Sequence, residues 1–306
     1  MFSLNDNHII VNYHYVENPK SAGIYPCSPA LFEKQVSFLT ENYRVVSVPE
    51  VFESAQAGEN EKLCALTFDD GLKDQYQNAV PILEKYSATA AFFPITSVFE
   101  GRLPAAHKVH VLLSRFSVHA MIDFFHKFMA EFYPDLRAQY VIPKDKRLTD
   151  KRLHEDIPSA NFKETLIALP EDIRGRFLRH CFKVNGLSEK KVSRELFMSR
   201  EEIKNLQKAG LIIGGHSHGH YAMSIDDELF LKKDVELSRQ ILTDLLGAAP
   251  TVFSYPHGRY GNAAVKVIKE AGFEYALTIE RRGLTLEDQR FLIPRYDTAD
   301  LVISSL

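Results

Sequence analysis

The feature that most constrains the fold of this chain is a repeated succession of short apolar strands and helices. Runs rich in β-branched and aromatic residues recur along the sequence, and most are followed by a segment with a helix cap and helical spacing of apolar residues. This succession predicts an α/β protein whose parallel strands are joined by right-handed crossovers. Roughly eight predicted strands favour a closed (β/α) barrel over an open sheet.

The individual elements follow from caps, breakers and apolar spacing. Ser28 and Pro29 open the first helix, and Ser199 with Glu202 forms a capping box at the start of a later one. Further helices are predicted at 49–57, 226–246 and 263–271. The predicted strands are 9–15, 44–47, 63–68, 89–93, 211–216, 251–255, 275–279 and 291–296.

The succession is interrupted between residues 101 and 198. This segment is rich in charged and aromatic residues, has helical character, and includes a polar stretch, 143–158, that predicts a loop. We therefore expect a barrel formed by 1–100 and 199–306, with 101–198 as a large helical insertion. An apolar stripe in the insertion favours the inner face of a helical subdomain. A lid over the barrel mouth and a peripheral membrane contact are the alternatives. The stripe contains Leu112, Phe116, Ile122, Phe125, Phe128, Met129 and Phe132.

Composition excludes some classes of partner. The formal net charge is −3, with 37 basic and 40 acidic residues among 306, which gives no reason to expect nucleic acid. Cys27, Cys64 and Cys181 are odd in number and lack Cys-x-x-Cys spacing, as expected for free thiols in a reducing compartment. The start of the sequence has no signal-peptide pattern, and no apolar run approaches the roughly 20 residues of a membrane helix. We therefore expect a cytoplasmic protein without a transmembrane segment.

Chemically versatile residues fall at the carboxyl ends of the predicted strands. Asp69 and Asp70 end the strand at 63–68, and His216, Tyr255 and Arg295 stand at the ends of three others. Barrels of this type place their chemistry on that face. We therefore expect these side chains to share one site.

A metal centre is the simplest reason for this set of residues. Two adjacent carboxylates repel one another, so they are usually tolerated where a cation or a proton is shared. The segment Gly215-His-Ser-His-Gly-His220 supplies imidazoles, of which His216 and His220 face the same side if the segment turns helically. One carboxylate and two imidazoles leave zinc or a transition ion with open positions for water and substrate.

These motifs resemble those of the metal-dependent polysaccharide deacetylases, the family with the NodB-like homology domain (carbohydrate esterase family 4). Thr67-Phe-Asp-Asp70 is similar to the first family motif, His216-Ser-His-Gly-His220 to the second, and Phe253-Ser-Tyr-Pro-His-Gly258 to a variant of the third. The Tyr-His-Tyr sequence at 13–15 resembles the opening strand of many members. The resemblance covers roughly 9–100 and 199–297, and it implies a distorted (β/α) barrel.

The resemblance also implies roles for individual residues. Asp69 corresponds to the general base, while Asp70, His216 and His220 correspond to the metal ligands. The ion is expected to be Zn²⁺, with Co²⁺, Ni²⁺ or Mn²⁺ as alternatives. The third motif implies that Tyr255 and Pro256 contact the substrate, and that a backbone N–H near His257 faces the oxyanion.

The sequence departs from the family pattern in the motifs that would supply the general acid and the arginine near the base. Ser254 stands where the third motif usually has Arg, the chain contains no Trp for the fourth motif, and the last motif lacks its His. His14 and His257 are therefore the candidates for the general acid. Arg295 is the candidate to orient Asp69. His218 is expected to be a spectator or to support a ligand indirectly, rather than to be a ligand itself.

The function expected from these observations is metal-dependent removal of an N-acetyl or N-formyl group from an amino sugar. A cytoplasmic location favours a nucleotide-linked or lipid-linked precursor of lipopolysaccharide, capsule or another surface glycan. A catalytically silent carbohydrate-binding or assembly protein on the same fold is the alternative from another class. A hydrolase of a non-sugar amide is the third.

Overall fold

A computed structural model describes residues 5–17, 24–149 and 155–301. The described strands are β1 (His8–Tyr13), β2 (Arg44–Val45), β3 (Leu63–Asp70), β4 (Ala91–Pro94), β5 (Ile212–Ile213), β6 (Val252–Ser254), β7 (Tyr275–Leu277) and β8 (Tyr296–Asp297). The helices are α1 (Pro29–Asn42), α2 (Val48–Gln56), α3 (Val80–Lys85), α4 (Ala105–Leu113), α5 (Val118–Phe132), α6 (Ile157–Ala168), α7 (Glu171–Val184), α8 (Glu189–Leu196), α9 (Arg200–Lys208), α10 (Glu228–Leu246) and α11 (Asn262–Glu270).

The described residues divide into two compact units. The first contains 5–17, Pro26–Arg102 and 193–301, and it holds all eight strands. The second contains 24–25, 103–149 and 155–192. The insertion expected from the sequence spans 101–198, whereas the main segment of the second unit begins at Leu103 and ends at Val192. A role of the second unit as a lid stays a prediction.

The strands of the first unit close into a distorted parallel barrel, as predicted. Ladders give the order β5-β4-β3-β1-β8, while β6 and β7 form a separate parallel pair. Two single bridges, Gly215↔Phe253 and Leu277↔Ile293, join that pair to the flanks of β5 and β8. Seven strands therefore form the closed circuit, and β2 pairs only with the beginning of β3.

Several strands are shorter than predicted, for local reasons. Within the stretch predicted at 291–296, Ile293 forms only a single bridge and β8 begins at Tyr296; Pro294, between them, has no N–H to donate. The strand predicted at 44–47 ends at Val45, since Ser47 is already the N-cap of α2. The strand predicted at 211–216 ends at Ile213, and Gly215 retains only a single bridge.

β3 is the central element of the barrel. All eight of its residues are buried, as expected for a strand of a parallel sheet that is covered on both faces. The ring of Phe68 stacks on that of Phe92 at a centroid distance of 4.6 Å and on that of Tyr13 at 5.3 Å. This packing fixes the strand whose end carries Asp69 and Asp70.

The predicted helix ends are confirmed where caps determined them. The Ser28 hydroxyl accepts from the Leu31 N–H, and both halves of the Ser199 and Glu202 capping box are present. α10 ends at Gly247, which adopts a left-handed conformation with φ of 77°.

The second unit is helical in its described residues. Phe125, Phe128 and Phe177 pack edge to face between α5 and α7. Lys163 and Glu155 form a buried ion pair at 2.7 Å. The loop predicted at 143–158 is irregular up to residue 149, but α6 already begins at Ile157 because Asp156 caps it. Residues 150–154 of that loop lie outside the described part of the chain.

No helix in the described ranges combines the length and apolar character needed to cross a membrane.

The turn after β3 gives a first testable prediction. Gly71 has φ of +72°, and a Cβ there would stand 2.7 Å from Pro94 Cβ and 2.8 Å from Pro94 Cα. Gly71→Ala is therefore expected to lower the free energy of unfolding by about 3 kcal/mol, from left-handed strain plus overpacking. Chemical denaturation measures this loss.

The matched control is Gly210→Ala. Gly210 has φ of +81°, but a Cβ there would meet nothing within 4 Å. Only the conformational cost of about 1–2 kcal/mol is expected. Equal losses in the two variants would contradict the role assigned to the contact with Pro94.

Candidate metal centre and active site

The site begins at the carboxyl end of β3, where Asp69 and Asp70 are both buried. Asp70 has φ of +74°, and Gly71 follows with φ of +72°, so the chain turns sharply at the strand end. A positive φ in a residue other than glycine is strained and requires support from its surroundings. The two neighbouring carboxylates acquire different partners: Asp69 contacts Arg295, and Asp70 contacts two imidazoles.

Asp70, His216 and His220 form a compact cluster. Oδ1 of Asp70 lies 3.4 Å from Nε2 of His216 and 3.2 Å from Nε2 of His220, and one potential ligand atom from each residue lies within 4.8 Å of the others. All three residues are buried. This is the only such group of three in the described ranges.

The tautomer of His216 is fixed by its second nitrogen. Nδ1 lies 2.8 Å from the backbone oxygen of Ser254. A carbonyl oxygen can only accept, so Nδ1 carries the proton, and the lone pair of neutral Nε2 faces Asp70. Metal-binding histidines are commonly oriented in this way. The donor set of one carboxylate and two imidazoles thus fits a divalent ion with open positions.

The loop carrying the two histidines is not helical, contrary to the condition considered from the sequence. Ser217 has φ of +63° and His220 has φ of +57°. The Ser217 hydroxyl accepts from the His220 N–H at 2.9 Å. Left-handed backbone at two positions, rather than helical periodicity, makes the imidazoles converge.

Asp69 is held by a buried guanidinium. Nη1 of Arg295 donates to Oδ1 at 3.0 Å and Nη2 donates to Oδ2 at 2.8 Å, a bidentate pair. Asp69 is 2% exposed and Arg295 is 1% exposed. The remaining hydrogen bonds of Arg295 go to the Asn12 side chain, Thr67 Oγ1, the Thr278 carbonyl and Ser254 Oγ.

The positive charges around Asp69 determine whether this buried carboxyl group is protonated. Burial alone would raise the pKa of Asp69, but the Arg295 guanidinium together with His216 and His14 outweighs burial and holds that pKa well below its usual range. Burial likewise acts to lower the pKa of His216, and the carboxylates of Asp69 and Asp70 reverse this so that the pKa is raised. Asp69 is therefore anionic across the neutral pH range.

His14 lies on the solvent side of Asp69. Its Nε2 is 4.0 Å from Asp69 Oδ2, and its side chain is 42% exposed. The Gln75 carboxamide donates to the backbone carbonyl of His14 at 3.0 Å and to that of Asp69 at 2.6 Å. Gln75 begins a π-helical turn, Gln75–Ala79, a conformation that often occurs at functional sites.

His257 lies beside the cluster of Asp70, His216 and His220. Its ring centroid is 4.4 Å from that of His220, and its backbone has φ of +59°. The residue is exposed. The structure thus brings His257 to the site, on the side of His220.

The structure places Tyr255 and Pro256, the predicted substrate contacts, in the protein interior. Tyr255 is 0% exposed, packs against the rings of Phe253 and Tyr260, and donates its N–H to the Leu277 carbonyl. Pro256 is buried as well. Both residues directly follow the buried strand β6, so their packing supports the loop that carries His257.

Other residues of the site were missed or only partly recognised from the sequence. His218 points away from the cluster and pairs through Nδ1 with Thr96 Oγ1 at 3.0 Å. The sequence does not predict Asn12 or Gln75 as site residues and includes Thr67 only as part of a motif, although Asn12 and Thr67 lie on buried strands near their carboxyl ends. Polar residues in such apolar strands were the available signal.

The sequence profile of the polysaccharide deacetylase family matches residues 56–113 and 179–276, which together are just over half of the chain. The barrel, the buried Asp70-His216-His220 cluster and this match agree. The chain belongs to the polysaccharide deacetylase family.

One similar protein of known identity is an N-deacetylase. Poly-beta-1,6-N-acetyl-D-glucosamine N-deacetylase of Staphylococcus aureus (strain MRSA252) is 27% identical over 112 residues, which are 34% of this chain and 39% of the relative. The matched region is therefore well under half of either protein.

Solved structures extend the similarity of the fold to nearly the whole chain. The deacetylase PplD of Streptococcus pyogenes, in complex with acetate, has a TM-score of 0.61 at 16% identity, covering 95% of this chain and 92% of that one. IcaB from Ammonifex degensii has a TM-score of 0.57 at 17% identity, covering 95% and 91%. At these identities the similarity demonstrates a common fold.

The buried ion pair gives a second prediction. Arg295→Met leaves the Asp69 carboxylate buried without its counter-charge, so we expect a loss of about 3–5 kcal/mol in the free energy of unfolding at pH 7. Without the guanidinium, burial raises the pKa of Asp69, and the charged form then costs stability as the pH rises. The deficit should therefore shrink between pH 7 and pH 5, as measured by urea unfolding.

In the wild type, the stability contributed by Asp69 depends on pH in the opposite direction. Because the pKa of Asp69 is depressed in the folded protein, its contribution is complete above the unfolded value of about 4 and is lost only below it. Arg44→Met removes a bidentate pair with Glu61 that is exposed, and should change little because solvent screens it. A deficit for Arg295→Met that is independent of pH would contradict the electrostatic role.

Proposed function

We propose that this protein is a metal-dependent N-deacetylase acting on an N-acetylated amino sugar of a surface glycan. The observation that carries the proposal is the buried cluster of Asp70, His216 and His220 beside the Arg295-paired Asp69, in a member of the polysaccharide deacetylase family. Each residue has a separate role in the reaction that we infer.

Asp70, His216 and His220 would hold the divalent ion, for which we propose Zn²⁺. When bound, such an ion polarises an acyl carbonyl and lowers the pKa of a water ligand toward about 7. Ser254 supports this assignment because its carbonyl fixes the tautomer of His216.

Asp69 is proposed as the general base. Its carboxylate adjoins the cluster and is kept anionic by Arg295, so Oδ2 can accept a proton from the attacking water. The bidentate guanidinium limits rotation of the carboxylate. We therefore assign Arg295 as the residue that positions the base.

His14 is proposed as the proton donor to the departing amine. Its ring is partly exposed and lies on the same side as Asp69, with the strand end held by Gln75. His257 contacts the ring of a proposed metal ligand, which favours a role in shaping the site, with its backbone N–H directed at the oxyanion. Proton transfer from His14 Nε2 would complete C–N cleavage.

The substrate class follows from the relatives. Their names specify poly-beta-1,6-N-acetyl-D-glucosamine, so a β-1,6-linked N-acetylglucosamine oligomer is the first probe. We further propose a cytoplasmic stage, with a nucleotide-linked or lipid-linked precursor as substrate. Cys27, Cys64 and Cys181 are free and buried, which supports a reducing compartment. Family membership does not favour a catalytically silent binding protein.

The two adjacent aspartates provide the third prediction. Asp70→Ala should abolish stoichiometric zinc binding, because one of three ligands is lost. Asp69→Asn should leave zinc affinity within about threefold of wild type while lowering kcat by about 10²- to 10⁴-fold, because only the base is lost. Zinc is measured by competition with a chromogenic chelator, and activity by acetate release.

The same acetate assay tests the proposed function as a whole. It is run on β-1,6-linked N-acetylglucosamine oligomers, a nucleotide-linked N-acetylhexosamine and a lipid-linked N-acetylhexosamine. Release from any of them that requires both Asp69 and Asp70 supports the deacetylase. No release from all three, with zinc bound, would refute the substrate class.

The proton donor is tested with two matched imidazole variants. His14→Gln should lower kcat on the amide by about 10²- to 10⁴-fold without weakening zinc, whereas His257→Gln should lower it less. On an aryl acetate ester, whose leaving group needs no proton, His14→Gln should approach wild-type rates. A loss of equal size on ester and amide would exclude His14 as the donor.

A further inference from the structure

The loop from His216 to His220 must hold two imidazoles in place with an unfavourable backbone. Ser217 and His220 both have positive φ, and neither is glycine. Such backbone persists only where the surrounding structure enforces it. The hydroxyl of Ser217 provides one internal constraint by accepting from the His220 N–H at 2.9 Å.

A carboxylate from another element provides the constraint at the centre of the loop. Oδ2 of Asp234 accepts from the His218 N–H at 3.0 Å, and Oδ1 accepts from the Gly219 N–H at 2.8 Å. Both oxygens of one side chain thus bind consecutive amides between the two proposed ligands. Charge-assisted hydrogen bonds of this kind are among the stronger ones.

Asp234 is placed by a rigid helix. It lies in α10, where Leu231 and Val235 are buried in the same apolar cluster as Phe253 and Tyr255. Its carboxylate therefore has a fixed position relative to the strand β6, whose Ser254 carbonyl orients His216. The helix thus constrains the centre of the loop, and the strand constrains its start at His216.

The loop has little room to rearrange. A Cβ at Gly219 would stand 2.1 Å from Cε2 of Tyr221, so the backbone is packed closely against that ring. On the opposite side the N–H of Ser97 donates to the His218 carbonyl at 3.1 Å. Loss of the carboxylate would leave two amides without this anchor, and no other part of the loop replaces it.

We propose that Asp234 is a positioning residue for metal binding, which holds the His216–His220 loop so that both Nε2 atoms remain beside Asp70. The inference rests on the metal site of the proposed function. The role requires a carboxylate, because an ionised Asp234 accepts on two oxygens. An amide at this position offers one acceptor oxygen and turns a donor toward the other N–H group.

The test is Asp234→Asn, with zinc alone as the probe. We expect the dissociation constant for Zn²⁺, measured by chelator competition, to rise about 10- to 100-fold, as for other residues that support metal ligands. In the metal-free protein, the His218 and Gly219 amides should exchange hydrogen faster than in wild type. Asp234→Glu, which keeps the charge, should show a smaller loss and serves alone if Asp234→Asn does not fold.

Asp244→Asn is the matched control. Asp244 lies in the same helix, is exposed, and accepts from the Gln240 side chain at 2.7 Å. Its zinc affinity should equal that of wild type. Wild-type zinc affinity in Asp234→Asn, or in Asp234→Glu where that variant stands alone, overturns the proposal even if thermal stability falls. Failure of the wild type itself to bind zinc refutes the proposed metal site and this inference with it.

Discussion

The buried ion pair between Asp69 and Arg295 is the interaction on which the site and the barrel both depend. Burying an unpaired carboxylate would cost several kcal/mol of folding free energy, so burial of this strand end requires the guanidinium as its counter-charge. The same guanidinium bonds to Asn12, Thr67, Ser254 and Thr278, which lie on or beside four different strands. One side chain thus reinforces a barrel in which two of the strand contacts are single bridges.

The two adjacent aspartates are separated in function by their backbone. Asp69 keeps extended geometry and contacts the guanidinium, whereas positive φ at Asp70 directs its carboxylate to the imidazoles. Each carboxylate therefore has its own partners, the guanidinium for Asp69 and two imidazoles for Asp70, which lessens the repulsion expected for neighbouring acids. This separation would permit the proposed metal ligand, Asp70, and the proposed base, Asp69, to be consecutive residues.

The departure from the third family motif has a structural counterpart. Ser254 stands where the family usually has Arg, and its Oγ accepts from Arg295 at 2.9 Å. The guanidinium thus comes from the segment before β8 rather than from β6. A sequence comparison by motif records a missing arginine, but the packed barrel brings the same kind of group to Asp69 from another position in the chain.

The sequence alone determined the succession of strands and helices, the caps at Ser28 and Ser199, and the polar residues at the carboxyl ends of strands, because these depend on local spacing and side-chain chemistry. The tertiary structure decided which of those residues meet. Convergence of His216 and His220 required left-handed backbone and an anchor from α10, and burial of Tyr255 required packing against Phe253. Contacts between residues distant in sequence set these outcomes, and no local pattern encodes them.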